Sequence, residues 1–260
     1  MSSFLLFLAV IPVVLILLYV YSKDRNKEPT KLLVKLFFFG IVSCFLTVAI
    51  SEIMETIFPI FKSEPEDLNF FQAIIAVFIG IALVEEFSKW LMAYLIGYKS
   101  EELDEIYDSI VYAVFVSLGF ACFENLLYLF DYQSVAVGVV RGIVSVPGHA
   151  CYGLYMGYFL SMAKLYSKKG RPEKEKLYLV LSVVVPTILH GIYDFCLMAN
   201  MSILVLVFFL FVVLLFTFSV RRLNILSKDL TRLVIKNKYC RNCGLPVKAE
   251  FCSNCGTRQE

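Results

Sequence analysis

Two adjacent carboxylates and a lysine interrupt a long apolar stretch near the middle of the sequence. Glu85, Glu86 and Lys89 lie in a run, residues 70–97, that is otherwise uncharged. On a helix, residues three or four apart share a face, so Lys89 can pair with either glutamate. A charge at the centre of a bilayer costs ~2.5–3.5 kcal/mol on insertion scales, and such groups are usually functional. The pattern predicts either a catalytic carboxylate pair in a buried polar cavity or a structural ion pair that joins two helices.

Three further apolar runs also carry ionisable side chains. The two histidines of the chain, His149 and His190, lie in such runs, and His190 precedes Asp194 by one helical turn. A carboxylate at that spacing can orient the imidazole or stabilise its charge. A single buried histidine is usually a packing residue, but ionisable groups in four runs predict one shared polar site. Its predicted members are Glu85, Glu86, Lys89, Glu124, Tyr128, Arg141, His149, His190 and Asp194.

The residue types in this set suit hydrolysis. A carboxylate can take a proton from water, and a histidine can stabilise an oxyanion or bind a metal ion. The sequence contains neither a His-Glu-x-x-His zinc motif nor a Gly-x-Ser-x-Gly nucleophile elbow. The residues by themselves therefore indicate a hydrolase without deciding whether a metal takes part.

The composition indicates a membrane protein. The chain has 260 residues, 59% of them hydrophobic, and its mean hydropathy is +0.76. Several runs exceed the ~18 residues that mark a transmembrane helix, and they are uniformly apolar rather than alternating, which argues against a β-barrel. A net charge of +2 gives no reason to expect a nucleic-acid partner.

The sequence thus predicts an all-α polytopic membrane protein with about seven transmembrane helices. The predicted spans are 4–21, 32–58, 70–97, 106–130, 135–165, 177–198 and 203–220. The first run lacks both preceding basic residues and a following small-residue cleavage site, so it is predicted to be a retained helix rather than a signal peptide. Basic residues cluster in 22–35, in 164–176 and directly after 220. Because such segments face the cytoplasm, the N-terminus is predicted to lie outside a bacterial cell membrane and the C-terminus inside.

A separate motif ends the sequence. Cys240, Cys243, Cys252 and Cys255 form two Cys-x-x-Cys pairs, each followed by glycine. Four thiolates at this spacing suit one structural zinc ion in a small ribbon, with the residues between the pairs forming a hairpin. Two disulfides are the alternative, which a reducing cytoplasm disfavours. The chain is therefore predicted to consist of a membrane domain, 1–222, a basic juxtamembrane linker, 223–238, and a cytoplasmic zinc ribbon, 239–260.

The ordered motifs of the membrane domain resemble the PrsW family of membrane proteases. The motifs are Glu85-Glu86-x-x-Lys89, Phe123-Glu124-x-x-x-Tyr128, the His149 segment and His190-x-x-x-Asp194, together with the loop 21–29. The resemblance covers about residues 1–220, and it extends more distantly to CAAX-processing and bacteriocin-immunity membrane endopeptidases. It implies an endopeptidase that cleaves a membrane-tethered protein, such as an anti-sigma factor, on its extracytoplasmic side.

The same resemblance implies roles for the site residues. Glu85 and Glu86 would carry the base role, and His149 and His190 would polarise the scissile carbonyl or bind a metal ion. The supporting residues would be Lys89, Glu124, Tyr128, Arg141 and Asp194. The family is described both as metal-dependent and as glutamate-dependent, so the resemblance does not decide whether the active site contains a metal ion. The cysteine tail is not part of the family's core pattern, which suggests a separate form of control.

Two other function classes are alternatives. A proton-coupled transporter or channel uses the same kinds of buried Glu, His and Lys, although this chain shows no repeat symmetry and no matched pair of broken helices. A zinc-ribbon scaffold without chemistry would not need the ordered motifs. The predicted partners of the protease are a membrane-tethered protein substrate, the lipid bilayer and a cytoplasmic protein that binds the ribbon.

Overall fold

Seven long helices form the membrane domain. The computed structural model describes residues 3–199, 201–228, 233, 238–239, 242–243, 245–247 and 254–258. The helices are α1 (Ser3–Lys23), α2 (Thr30–Ile57), α3 (Phe70–Tyr98), α4 (Ile106–Tyr132), α5 (Val135–Lys168), α6 (Pro172–Met198) and α7 (Ser202–Leu226). Two 3₁₀ turns, Pro59–Lys62 and Pro65–Asp67, lie between α2 and α3. All seven helices are long and apolar enough to cross a membrane, which confirms the predicted polytopic class.

Most helix bounds differ from the predicted spans by a few residues, because polar residues extend the helices beyond the apolar runs. α6 begins at Pro172 rather than near residue 177. Proline costs no hydrogen bond in a first turn, and the carboxylates of Glu173 and Glu175 are favourable there. α7 continues to Leu226, so the first residues of the predicted linker are helical. Beyond it, Leu233 is buried and its backbone N–H donates to the carbonyl of Asp104 at 2.5 Å.

α4 lies at the centre of the bundle and packs against α1, α2, α3 and α5. Its most apolar 18-residue window is 72% buried, compared with 22% for both α1 and α7, so the first and last helices lie at the edge. Glycines bring α2 and α4 close together. A Cβ added at Gly40 or at Gly119 would overlap a backbone carbonyl of the opposite helix, which is why small residues stand at this crossing.

Two of the site helices depart from α-helical geometry just before their candidate residues. In α3, the π-helical segment Ala76–Leu83 precedes Glu85, and in α5 the π-helical segment Arg141–Ser145 precedes His149. π-helical turns are rare and are frequently found at functional sites. The wider turn changes the direction of the side chains that follow, so these segments help to set where Glu85 and His149 point.

Four buried carboxylates lie where the α1–α2 loop packs against the start of α4, at the end of the bundle opposite the α2–α3 loop. They are Asp24, Glu28, Glu105 and Asp108. Asn26 donates to Glu105 Oε1 at 2.5 Å, and the Tyr112 hydroxyl donates to the Glu28 carboxylate. These hydrogen bonds attach the loop to α4 and hold Glu28 away from water.

Glu28 makes the stability of this end depend on pH. Burial raises the pKa of Glu28 from 4.5 to about 7. The titratable groups near it are Asp24, Asp104, Asp108 and Tyr112. Between pH 4.5 and pH 7, the unfolded chain loses the Glu28 proton while the folded chain keeps it, so the free energy of unfolding should fall as the pH rises through this range.

Glu28→Gln is expected to remove this pH dependence, because glutamine is neutral at every pH and keeps an oxygen that can accept from Tyr112. The melting temperature of the variant, relative to wild type, should be higher at pH 8 than at pH 5. Thermal unfolding of the detergent-solubilised protein at both pH values measures the difference. Glu64→Gln, which changes an exposed glutamate, is the control. Parallel pH profiles for wild type and Glu28→Gln would contradict the prediction.

A short antiparallel strand pair is present in the tail. β1 (Lys238–Tyr239) pairs with β2 (Pro246–Val247), with Tyr239 opposite Pro246. The first Cys-x-x-Cys pair falls in the connection between these strands, so the pairing begins before that pair rather than in the residues after it. Cys240 and Cys252 lie outside the described residues. The four-cysteine zinc site and the division at residues 222 and 238 therefore stay predictions.

Candidate active site

Side chains from α3, α4, α5 and α6 meet at a cavity of about 300 Å³. The predicted site residues that line it are Glu85, Glu124, Tyr128, Arg141, His149, His190 and Asp194. Glu124 and His190 each lie eight residues before the end of their helices. At 1.5 Å per residue, this places them about 12 Å from the helix ends. The cavity is therefore closer to the end of the bundle that carries the α2–α3 loop.

Lys89 lies behind the cavity wall and contacts groups from three helices, α3, α4 and α5. Its Nζ is 2.5 Å from Glu86 Oε1, 3.5 Å from Glu85 Oε2 and 3.3 Å from His149 Nδ1. The same ammonium lies 4.3 Å from the centre of the Phe120 ring. Because Lys89 and Glu86 are both fully buried, each charge depends on the other for compensation.

His190 lies between carboxylates from two helices. Its Nδ1 is 2.9 Å from Glu86 Oε1 and 3.8 Å from Glu85 Oε2, and its Nε2 is 3.2 Å from Asp194 Oδ2. Tyr152 stacks on the imidazole with the ring centres 4.8 Å apart. Asp194 and Tyr152 together fix the orientation of the ring.

His149 connects Lys89 to a second ion pair. An ammonium can only donate, so His149 Nδ1 accepts from Lys89 and we place the ring proton on Nε2. Nε2 then donates to Glu124 Oε2 at 3.0 Å. Arg141 Nη2 lies 2.8 Å from the same oxygen, and its guanidinium covers the Tyr128 ring at 3.7 Å. Glu124 therefore holds both His149 and Arg141 at the cavity.

The two adjacent glutamates occupy different environments. Glu85 lines the cavity with a side chain that is 13% exposed, whereas Glu86 is 0% exposed and does not line it. Consecutive helical residues point about 100° apart, so the two carboxylates can have different surroundings although both lie near His190 and Lys89. Glu85 Oε2 lies within ion-pair distance of Lys89 but makes no hydrogen bond with any described residue. That oxygen is available to a water molecule or a metal ion.

Sequence reasoning missed two residues at this site. Tyr152 is buried and lines the cavity, and its hydroxyl has no hydrogen-bond partner among the described residues. Its position three residues after His149, on the same helix face, is the signal that could have found it. Asn125 accepts a hydrogen bond from Arg141 Nε at 2.7 Å, and no spacing in the sequence pointed to that contact.

Glu85, His149 and His190 fit a catalytic metal ion. One ligand atom from each lies within 4.8 Å of the others. Each histidine also has a carboxylate at Nε2, Glu124 or Asp194, and metal-binding histidines commonly have such partners. A metal ion would then bind at Nδ1, where it would replace the contact of His149 with Lys89 and that of His190 with Glu86. Two imidazoles and one carboxylate are a ligand set found in catalytic zinc centres, so these residues would hold such an ion and leave it open to water.

A family model described as the PrsW family intramembrane metalloprotease matches residues 28–220. The chain belongs to the PrsW family. Among its relatives, Protease PrsW of Oceanobacillus iheyensis is 36% identical over 213 residues, covering 82% of this chain and 91% of the relative. Protease PrsW of Bacillus subtilis is 36% identical, with 72% and 80% covered, and that of Clostridioides difficile is 30% identical, with 85% and 90% covered. No solved structure gives a significant match to the chain.

PrsW membership confirms the family resemblance and the predicted enzyme class. The chain is a multi-pass membrane peptidase, and this decides between the protease and the transporter and scaffold alternatives. The Glu–His–His donor set agrees with the word metalloprotease in the family description.

Proposed function

We propose that this PrsW-family protease hydrolyses a peptide bond of a membrane-tethered protein at the cavity, and that Glu85 is the carboxylate that activates the attacking water. The observation that supports this choice is the different placement of the two glutamates. A general base must come within hydrogen-bond distance of the reacting water, and Glu85 lines the cavity whereas Glu86 is enclosed. Glu86 instead holds Lys89 and His190 in position.

The other cavity residues take supporting roles in this proposal. His149 and His190 polarise the scissile carbonyl or hold a metal ion, and Glu124 and Asp194 fix the two rings. Tyr152 donates its hydroxyl to the carbonyl oxygen, since Tyr152 lines the cavity and its buried hydroxyl has no hydrogen-bond partner among the described residues. The rate of substrate cleavage by the Tyr152→Phe variant tests this role and should fall. Phenylalanine keeps the stacking on His190 and removes only the hydroxyl donor. An undiminished rate would exclude it.

A metal ion at this site would be held by Glu85, His149 and His190. When bound, it would supply a Lewis acid and lower the pKa of a bound water. Glu85 is required whether or not the metal takes part. It either removes the proton from water itself or provides one of the three protein ligands.

Metal content decides between these two forms of the mechanism. Replacing all four tail cysteines by serine removes the second candidate metal site and leaves the cavity unchanged. We expect about one metal ion per chain in this variant, with His149→Ala and His190→Ala each losing it. Elemental analysis of the purified protein, with Glu64→Ala as an exposed control, measures this. A metal-free protein that still cleaves would establish the glutamate form.

A second cavity suggests how a polypeptide reaches the site. It has a volume of about 310 Å³ and is lined by the end of α2, the α2–α3 loop and α3. Ile81 and Met198 line both this cavity and the catalytic one, so the two spaces lie next to each other. Glu55, Lys62 and Glu64 give its wall a polar character. We propose that an extended segment of the substrate, next to its membrane anchor, enters through this second cavity.

The end of the bundle with the α2–α3 loop is proposed to face the outside, because the basic segments lie at the other end. Cleavage would then occur on the extracytoplasmic side, as for an anti-sigma-factor-like substrate, and the tail would meet its partner in the cytoplasm. Labelling of new N-termini in membranes with wild type or Glu85→Gln would identify the substrate and the cut side.

Reporter fusions test the orientation directly. Fusions after Lys169 and after Glu260 are both expected to report the cytoplasm. An external reporter at Glu260 would contradict the proposed orientation of the seven helices.

A further inference from the structure

A cleft that is separate from both of these cavities opens at the edge of the bundle between α1 and α7, with α5 as its floor. It has a volume of about 190 Å³. Its lining is almost entirely apolar: Ile16, Tyr19, Val20, Val114, Pro147, Ala150, Cys151, Leu154, Phe216, Ser219, Val220 and Leu223. α1 and α7 both pack against α5. The cleft therefore lies within the membrane and suits a hydrocarbon chain.

The cleft adjoins an open surface on one face of α7 that carries polar side chains and is called the mouth below. The mouth is lined by Phe216, Thr217, Val220, Arg221, Asn224, Ile225 and Lys228, so Phe216 and Val220 belong to both spaces. Arg221 and Lys228 are exposed there. Among the residues that the structure describes, neither has a carboxylate within 4.0 Å. An apolar cleft thus adjoins two cations that have no acidic partner in the part of the chain that the structure describes.

We infer that this cleft and its mouth bind an anionic phospholipid, with an acyl chain between α1 and α7 and the phosphate group at Arg221 and Lys228. A free phosphate would make no use of the apolar cleft, and a zwitterionic lipid would gain less from the two cations. Basic residues near a membrane surface attract anionic lipids by about 1 kcal/mol each, which corresponds to roughly fivefold in affinity per cation. Two cations should therefore give a preference on the order of 25-fold.

The position of the cleft connects lipid binding to the catalytic helix. Pro147 and Ala150, which line the cleft, lie on either side of His149 in the α5 sequence. His149 itself faces the catalytic cavity. An acyl chain in the cleft would thus pack against the side of α5 that is turned away from the site, and it would hold that helix in place directly after its π-helical segment.

The test uses the full-length protein, purified in detergent and depleted of lipid. Native mass spectrometry with dioleoylphosphatidylglycerol and dioleoylphosphatidylcholine measures retention of each lipid. Wild type should retain dioleoylphosphatidylglycerol on the order of 25-fold better than dioleoylphosphatidylcholine. The double variant Arg221→Gln/Lys228→Gln should lose that preference. The control Lys31→Gln/Lys35→Gln removes two exposed cations of α2 that line neither space, and it should behave as wild type.

A variant that fills the cleft tests the acyl-chain site separately from the two cations. Val220→Trp, which fills the cleft and leaves both cations, should reduce retention of both lipids. Equal retention of the two lipids by wild type, or an equal loss in the double variant and the α2 control, would overturn the inference. A double variant that fails to accumulate is replaced by the single variants, each of which should lose roughly fivefold.

Discussion

Glu85→Gln is expected to abolish substrate cleavage while leaving the folded protein in the membrane. Glutamine has nearly the shape and hydrogen-bonding reach of glutamate, but it cannot take a proton from water and is a poor metal ligand. General base catalysis contributes ~10²–10⁴-fold, so the rate per folded molecule should fall by at least that factor. Glu85 is the partly exposed member of the pair and makes no hydrogen bond with any residue in the described part of the chain, so the melting temperature should change little.

Glu86→Gln is the matched control, since it makes the same change at the next residue. Glu86 is fully buried and bonded to both Lys89 and His190, so its loss should lower stability and accumulation. Cleavage should then fall mainly as the amount of folded protein falls. Measuring fragment formation and folded protein in the same membranes separates the two effects. If Glu85→Gln cleaves at the wild-type rate, the assignment of Glu85 as the activating carboxylate is wrong.

The second large effect is expected on stability. Lys89→Met removes the ammonium and leaves the carboxylate of Glu86 buried without its charge partner. Breaking a buried ion pair by removing one member costs about 3–5 kcal/mol, because the remaining charge is desolvated and uncompensated. The variant should therefore accumulate poorly and unfold at a lower temperature or denaturant concentration than wild type. Lys62→Met, at an exposed lysine of the α2–α3 loop, should be close to wild type.

A double-mutant cycle shows whether the pair itself is responsible. Lys89→Met/Glu86→Gln removes both charges, and an uncharged replacement of a buried pair is often neutral. We expect the double variant to be more stable than Lys89→Met, although His190 also loses a partner in Glu86. Unfolding in detergent, followed by tryptophan fluorescence, measures all three proteins. If the double variant is as unstable as the sum of the two single changes, Lys89 and Glu86 do not compensate each other.

The number of helices and the choice of candidate helices could be predicted from the sequence. Bilayer thickness fixes the length of an apolar run, so each of the seven predicted spans corresponds to one helix. Helical spacing predicted which residues meet on one helix. Lys89 Nζ lies 3.5 Å from Glu85 Oε2, and His190 Nε2 lies 3.2 Å from Asp194 Oδ2. These features depend only on local geometry and on hydropathy.

Contacts between helices were decided by the tertiary structure alone. The contact of His149 with Glu124 and the stacking of Tyr152 on His190 depend on how α4, α5 and α6 are rotated against one another. That rotation is set by packing, for example at the close crossing near Gly40 and by the π-helical turn before His149. Periodicity within one helix contains no information about it.

The same limit applies to the two adjacent glutamates. The sequence determined that Glu85 and Glu86 interrupt an apolar span, and both were predicted to be catalytic from the family resemblance. Only the packing of α3 against its neighbours turned Glu85 toward the cavity and enclosed Glu86 with Lys89 and His190. Consecutive helical residues point about 100° apart, so adjacent carboxylates on α3 can have different surroundings, and the three-dimensional fold decides which of them lines the cavity.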